Sequence, residues 1–221
     1  MKKLMILAVG MMFLAGAKAQ ELNVSVDLMN RYVWRGTEYG SGPSIQPTIE
    51  FSKGVFSIGA WGAYSTGSAS AETYFAEADL YTSISLKNGL SFGLTDYYYP
   101  GSSWMEFGDS ISSHAFELNL GYEISGFSIA ANYILNNSID GAGSDGGDMY
   151  FELGYSNDAF NAFIGGGDGW HTKNRNMQIC NIGIGTSKEI KVTDTFSIPV
   201  TGTAIVNPNT EQLFLVVGVS F

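Results

Sequence analysis

Charged side chains recur on the same predicted face of the alternating segments of this chain. Such a face is typical of an interior that contains water or binds cations. Seven of them carry carboxylates and two carry guanidinium groups, so pairing within the set leaves most carboxylates without a cation. An unpaired carboxylate in a dry interior costs several kcal/mol. We therefore predict that these residues line a lumen that holds water or binds cations. They are Asp27, Arg31, Arg35, Glu50, Glu77, Asp79, Glu117, Asp148 and Glu152.

Six of these residues are predicted in the outer half of the lumen, where they could form an ion-pair cluster below the external loops. Two interpretations stay open: a network that braces the wall, or a charged constriction that selects cations or polar solutes. The set predicts no catalytic group, no metal and no cofactor. The six are Arg31, Arg35, Glu77, Asp79, Glu117 and Asp148.

Two other segments contain residue types used in functional sites. The acid and glycine content of residues 140–148 is typical of a calcium loop, but the segment matches neither EF-hand spacing nor the RTX repeat, which favours a flexible external loop. His114 beside Ser112 or Ser113 supplies the base and nucleophile of a lipid hydrolase. Because no orienting acid can be placed, we predict that the protein is not an enzyme.

The elements that must position these residues are β-strands, because apolar and polar residues alternate with period two along most of the chain. Twelve strands are predicted, and an even number is expected of a single-chain bacterial barrel. The predicted fold is all-β, a transmembrane antiparallel up-and-down β-barrel. The strands are 22–34, 44–52, 55–64, 74–86, 90–99, 113–122, 127–135, 147–155, 160–167, 177–187, 196–206 and 211–221.

The connections between these strands alternate in length. Tight turns are predicted at 53–54, 88–89, 125–126 and 157–158, with a longer fifth link at 188–195. The segments between them are longer and rich in Gly, Ser and Asp, except for a short one at 207–210. Short periplasmic turns and long external loops are typical of outer-membrane barrels, so both termini are predicted on the periplasmic side.

Aromatic residues at matched heights predict two interfacial girdles, because amphipathic rings collect where hydrocarbon meets head groups. A soluble β-sandwich also alternates, but it has no reason to place rings in this way. The predicted girdle residues are Tyr32, Trp34, Phe51, Phe56, Tyr64, Tyr98, Tyr122, Phe127, Tyr133, Tyr155, Phe160, Phe196 and Phe221.

The N-terminus has the pattern of a secretory signal peptide: Lys2 and Lys3, an apolar run, and small residues at Ala17 and Ala19. Residues 1–19 are therefore predicted to be removed and residues 20–221 to form one domain. Eight Lys and Arg against 21 Asp and Glu then leave a net charge of −13, which argues against nucleic acid as a partner. No later stretch approaches the roughly 18 consecutive apolar residues of a membrane-spanning helix.

The segments Leu28–Gly36 (LMNRYVWRG), Pro43–Gln46 (PSIQ) and Tyr97–Gly101 (YYYPG) resemble those of the TorF family of porins. The terminal Phe221 also resembles the last residue of many outer-membrane barrels. The resemblance implies an outer-membrane barrel whose last strand is recognised by the barrel-assembly machinery.

The sequence as a whole predicts a channel of the bacterial outer membrane for small polar or cationic solutes. Outer-membrane lipids and those solutes are the expected partners. Two alternatives remain at this point. One is a closed barrel that serves a structural or adhesive role through its external loops, and the other is the lipid hydrolase.

Overall fold

The computed structural model describes residues 20–40, 42–66 and 75–221, and the predicted signal peptide at residues 1–19 lies outside them. Twelve strands close into one antiparallel barrel, and two short strands form a separate hairpin. The strands are β1 (Gln20–Met29), β2 (Tyr32–Trp34), β3 (Thr37–Tyr39), β4 (Ser44–Lys53), β5 (Phe56–Ser65), β6 (Ala76–Ser85), β7 (Leu90–Tyr98), β8 (His114–Ile124), β9 (Phe127–Ile134), β10 (Met149–Ser156), β11 (Asn161–Gly167), β12 (Gln178–Lys191), β13 (Ser197–Asn207) and β14 (Gln212–Ser220).

The barrel closes where the first wall strand meets the last. β1 pairs with β4 along its whole length and with β14 over its last three residues, Asp27 to Met29. Beyond the named strand, the backbones of Val26 and Phe221 exchange two hydrogen bonds of 3.1 Å each. The predicted twelve-strand up-and-down barrel is confirmed, and closure leaves it without an open sheet edge.

The two faces of the wall differ as the alternation predicts. Large apolar side chains project outward and are exposed, whereas inward positions hold mainly Ser, Thr, Asn, Gly and acidic residues. Exposed outward residues include Leu22, Ile58, Phe92, Leu118, Leu153 and Leu215.

The first strand ends earlier than predicted. Alternation through Trp34 predicts a wall strand over 22–34, but the chain leaves the wall after Met29. The Asn30 side chain pairs with the backbone of β14, donating to the Leu215 carbonyl at 3.0 Å and accepting from the Val217 N–H at 2.9 Å. Residues 30–43 then contain the hairpin of β2 and β3, which we call the inner hairpin.

The connections at the far end of the barrel are short, at residues 54–55, 86–89, 125–126, 157–160 and 192–196. Those at the end that carries the inner hairpin are longer, with the exception of 208–211. No helix in the described part of the chain has the length and apolarity to cross a membrane.

Candidate functional site

The inner hairpin turns at Arg35 and Gly36, whose φ angles are +48° and +81°. Positive φ at both central residues is the type I′ signature, which favours glycine at the second position. The Gly36 carbonyl accepts a hydrogen bond from the buried Asn207 side chain at 2.9 Å. A Cβ atom on Gly36 would lie 1.9 Å from the carbonyl oxygen of Cys180 on β12. Only glycine therefore lets the hairpin tip reach the inner wall.

The turn places the Arg35 guanidinium against Glu117 of β8 as a bidentate ion pair. The Nη1–Oε2 and Nη2–Oε1 distances are 2.6 and 2.8 Å, and Glu117 is fully buried. Glu117 also accepts hydrogen bonds from the Tyr97 hydroxyl at 2.9 Å and the Asn119 amide at 2.7 Å. A buried pair is favourable only when its remaining hydrogen-bonding groups are satisfied, and this carboxylate has four donors.

Aromatic rings enclose the other faces of Arg35. Its Cζ lies 4.4 Å from the ring centroids of both Trp34 and Tyr150, which is cation–π geometry. His171, in the 168–177 loop, has its Nε2 3.5 Å from Nη1 of Arg35 and accepts the indole N–H of Trp170 at 3.0 Å. Burial, and then the nearby Arg35 charge, lower the pKa of His171 to about 2. His171 is therefore neutral and accepts hydrogen bonds from its neighbours.

A second group of rings lies beside this site and covers two carboxylates of β6. Tyr32 packs against Trp61, Tyr39 and Phe75 with centroid separations of 5.3, 5.7 and 6.0 Å. Phe75 in turn contacts Tyr99 at 5.9 Å. Below these rings lie Glu77 and Asp79, which are also buried.

The lumen is not filled throughout. A cavity of about 360 Å³ lies beside Arg35, and polar groups of Asn132, Tyr150, Glu152 and Asn181 line part of it. Glu152 accepts hydrogen bonds from the Tyr150 hydroxyl at 2.5 Å and from the Asn181 amide at 3.1 Å. A polar space therefore continues past the inner hairpin.

The predicted six-residue ion-pair cluster does not form as one unit. Arg31 pairs with Glu38 inside the inner hairpin at 3.3 Å. Asp148 accepts the Ser144 hydroxyl at 2.7 Å and lies 4.0 Å from Arg175. Arg35 and Glu117 are the members that pair, because the early end of β1 moves both arginines from the wall to the hairpin.

The three remaining predicted lumen residues take no part in the Arg35–Glu117 ion pair. Glu50 accepts the Tyr81 hydroxyl at 2.9 Å, Asp27 is half-buried near the β1–β14 seam, and Glu152 lines the cavity.

Two of the predicted girdle residues are misplaced. Tyr32 and Trp34 lie inside the barrel, where Tyr32 contacts Trp61 and Trp34 contacts Tyr97 at 5.4 Å. Alternation assigned them to the outer face, but the hairpin turns them inward. The other eleven are exposed or half-buried: Phe51, Phe56, Tyr64, Tyr98, Tyr122, Phe127, Tyr133, Tyr155, Phe160, Phe196 and Phe221.

The outer wall holds the histidine considered for lipid hydrolysis. His114 Nδ1 lies 2.9 Å from the Asp96 carboxylate on β7, so the structure supplies an acid that was not predicted from the sequence. Asp96 lies two residues from Leu94 and therefore on the same outward face of β7. A carboxylate on this apolar face is the sequence signal that could have identified Asp96 as a partner of His114. His114 Nε2, however, faces the Trp104 carbonyl at 2.9 Å, and the Ser112 hydroxyl bonds to the His114 backbone.

Hydrogen bonds between buried serines lie at the base of the 140–148 loop. Ser138 and Ser144 are fully buried, and the Ser138 N–H donates to the Ser144 carbonyl at 2.7 Å. The described residues contain no group of three His, Cys, Asp or Glu side chains arranged to hold a metal.

Comparison with known proteins gives a family and a set of structures. The model of a family described as "Bacterial protein of unknown function (Gcw_chp)" matches residues 15–211. No curated protein sequence matches the chain. Nothing in these comparisons is specific to the TorF family.

Similar solved structures include mutants of a porin from Rhodopseudomonas blastica. With a triple mutant, the TM-score is 0.44 and the identity 12%, over 92% of this chain and 99% of the porin. With another mutant, the TM-score is 0.41 and the identity 12%, over 80% of this chain. In that second alignment the chain spans about half of the porin's length, 55%.

Proposed function

Because this chain belongs to the Gcw_chp family of bacterial proteins of unknown function, we propose a role from its own geometry. The protein is a porin-like barrel of the outer membrane that passes small polar solutes, favours cations, and is narrowed by the inner hairpin. The observation that carries this proposal is the Arg35–Glu117 pair, which holds the hairpin inside a closed barrel beside a polar cavity.

The outer wall supports a membrane location. Exposed apolar side chains cover the outward face, and the closed strand order satisfies the backbone within the wall. A spanning structure must satisfy all its backbone groups internally, and a closed barrel does so. The matched rings at the far rim, such as those of Phe127 and Tyr155 with centroids 4.8 Å apart, suit the membrane interface.

The charge of the lumen supports cation preference. Arg35 is neutralised by Glu117, whereas Glu50, Glu77 and Asp79 face inward with no Lys or Arg ion pair among the described residues. Rings of carboxylates favour cations over anions in a narrow pore. The same excess of acid is what the sequence predicts.

A closed barrel with a structural or adhesive role is the second candidate, and the ring packing favours it. Tyr32, Trp34 and Trp170 lie across the lumen with centroid contacts below 6 Å to wall residues. About 8 strands leave an interior that side chains fill, and 16–18 leave an open channel, so twelve strands permit either state.

We propose no hydrolase role, because His114 Nε2 is engaged by a backbone carbonyl instead of a nucleophile.

Single-channel recording in planar bilayers tests the proposal. We expect the wild-type barrel to give small, cation-preferring openings. Gly36→Ala should give larger or more frequent openings, because the added Cβ meets the Cys180 carbonyl and displaces the hairpin tip. Replacement of residues 31–41 by a short Gly/Ser linker should have the same effect.

Gly202→Ala is the matched control, since a Cβ there meets no atom within 4 Å. Its conductance should equal that of the wild type. If neither the wild type nor the linker variant conducts while both are folded, the channel proposal fails and the closed barrel replaces it.

A further inference from the structure

We infer that Glu77 and Asp79 form a binding site for a divalent, oxygen-preferring cation such as Ca²⁺ inside the barrel. This extends the proposed cation preference of the lumen, but it concerns equilibrium binding. It would hold in a barrel that never conducts.

Both carboxylates are withdrawn from solvent. Glu77 and Asp79 are 3% and 6% exposed, and their positions two residues apart on β6 direct both side chains inward. The Tyr32 hydroxyl faces Glu77, and the rings of Tyr32 and Tyr99 lie close to both acids. The pair is therefore enclosed below the inner hairpin.

One oxygen of this pair has no partner. The Asp79 carboxylate accepts a hydrogen bond from the Tyr98 backbone, but its Oδ1 is buried and makes no hydrogen bond. Buried polar atoms in native proteins are almost always satisfied, and an exception often marks an ion or water. This unsatisfied oxygen indicates that a group from outside the chain, such as an ion or water, completes the site.

The described residues provide no counter-charge for Glu77 and Asp79. Among the described residues, the ion pairs use Arg35 for Glu117 and Arg31 for Glu38, and none reaches Glu77 or Asp79. Residues 67–74, which precede β6, lie outside the described ranges, and their sequence contains no Lys, Arg or His. An external cation therefore has to balance the two carboxylates if both are ionised.

The chemistry of the neighbours selects the kind of cation. A charge of +2 neutralises both carboxylates at once, which offsets the cost of burying them. Among the described residues, the groups that interact with the pair are carboxylates, tyrosine hydroxyls and backbone. Oxygen donors of this kind suit Ca²⁺ and not the softer transition metals.

Calorimetric titration of the folded, EDTA-treated protein in detergent with CaCl₂ tests the site. We expect saturable binding of about one equivalent, as for a single two-carboxylate site. The double variant Glu77→Gln, Asp79→Asn should lose it. Because that variant removes two buried groups, Asp79→Asn alone, which keeps the side-chain shape, should also lose or strongly weaken binding while retaining the heat-dependent gel mobility of a folded barrel.

Two controls separate this site from other acids. Glu50→Gln removes a lumen carboxylate that already accepts the Tyr81 hydroxyl, and Asp140→Asn with Asp145→Asn removes exposed acids of the 140–148 loop. Both should bind Ca²⁺ like the wild type. Absence of binding to the wild type, its survival in the double variant, or its loss in the loop variant would each overturn the inference. Channel currents can fail independently of all three results.

Discussion

At the scale of single residues, one buried glutamate connects several segments of the interior through hydrogen bonds. Glu117 receives hydrogen bonds from Arg35, Tyr97 and Asn119, which come from the inner hairpin, β7 and β8. Arg35 has no second carboxylate within ion-pairing distance among the described residues. Loss of Glu117 therefore leaves a buried guanidinium uncompensated.

We predict that Glu117→Gln lowers the free energy of unfolding by about 3 kcal/mol or more, the usual cost of breaking one partner of a buried pair. Urea unfolding of the barrel folded in lipid vesicles measures this change. Glu123→Gln on the same strand is the control, because Glu123 is exposed and should change stability by no more than about 0.5 kcal/mol. Adding Arg35→Met to Glu117→Gln should restore part of the loss. Equal stabilities of Glu117→Gln and Glu123→Gln would contradict the prediction.

At the scale of elements, two long connections at the same end of the barrel fold against the wall from opposite sides. The inner hairpin enters the lumen, whereas the 99–113 loop lies on the outer face above His114. The His114 ring is fully buried there, with Asp96 and the Trp104 carbonyl at its two nitrogens and Phe107 stacked at 4.4 Å. His114 thus fastens a loop whose Trp104, Met105 and Phe107 are exposed.

His114→Ala is predicted to release the 99–113 loop without unfolding the barrel. Two hydrogen bonds of about 1 kcal/mol each and the ring stacking are lost, which should raise the rate of chymotryptic cleavage in the loop roughly tenfold or more. Mass spectrometry of the fragments locates the cut at Trp104 or Phe107. Asp109→Ala, at an exposed loop position, should be cleaved at the wild-type rate. Identical cleavage of both variants would show that the histidine does not hold the loop.

At the scale of the whole molecule, a closed wall is apolar outside and acidic inside. The exposed apolar side chains would make such a surface aggregate in water, but it suits hydrocarbon. The net charge of the chain is strongly negative, and much of it faces the lumen or the loops. The molecule therefore fits a membrane and not an aqueous compartment.

Cell fractionation checks this placement. We predict that the chain without residues 1–19 is recovered in the outer-membrane fraction and migrates faster on gels before boiling than after, as compact folded barrels do. A variant that carries Leu118→Arg, Leu153→Arg and Leu215→Arg should fail to assemble, because each charge faces hydrocarbon at a cost of about 2–4 kcal/mol near the bilayer midplane. Recovery of the native chain from the soluble periplasmic fraction would exclude the membrane location.

The sequence by itself determined the wall of this protein. Strand number, inward and outward parity and the tight turns depend on residues within one or two strands, since side chains alternate with period two and turns require particular residues. The acidic character of the lumen follows from the same parity. These features were therefore predictable without contacts between distant segments.

Only the tertiary structure determined which segments lie inside the barrel and which pack on its outer face. Residues 30–34 continue the alternation of β1, so nothing local distinguishes a wall strand from a hairpin that leaves it. The hairpin's place depends on Glu117, 82 residues beyond Arg35, and on Asn207, 171 residues beyond Gly36. Asp96 and His114 likewise meet only because β7 and β8 are adjacent. Such contacts exist once the barrel has closed, because closure fixes which side chains share the lumen and which share the outer face.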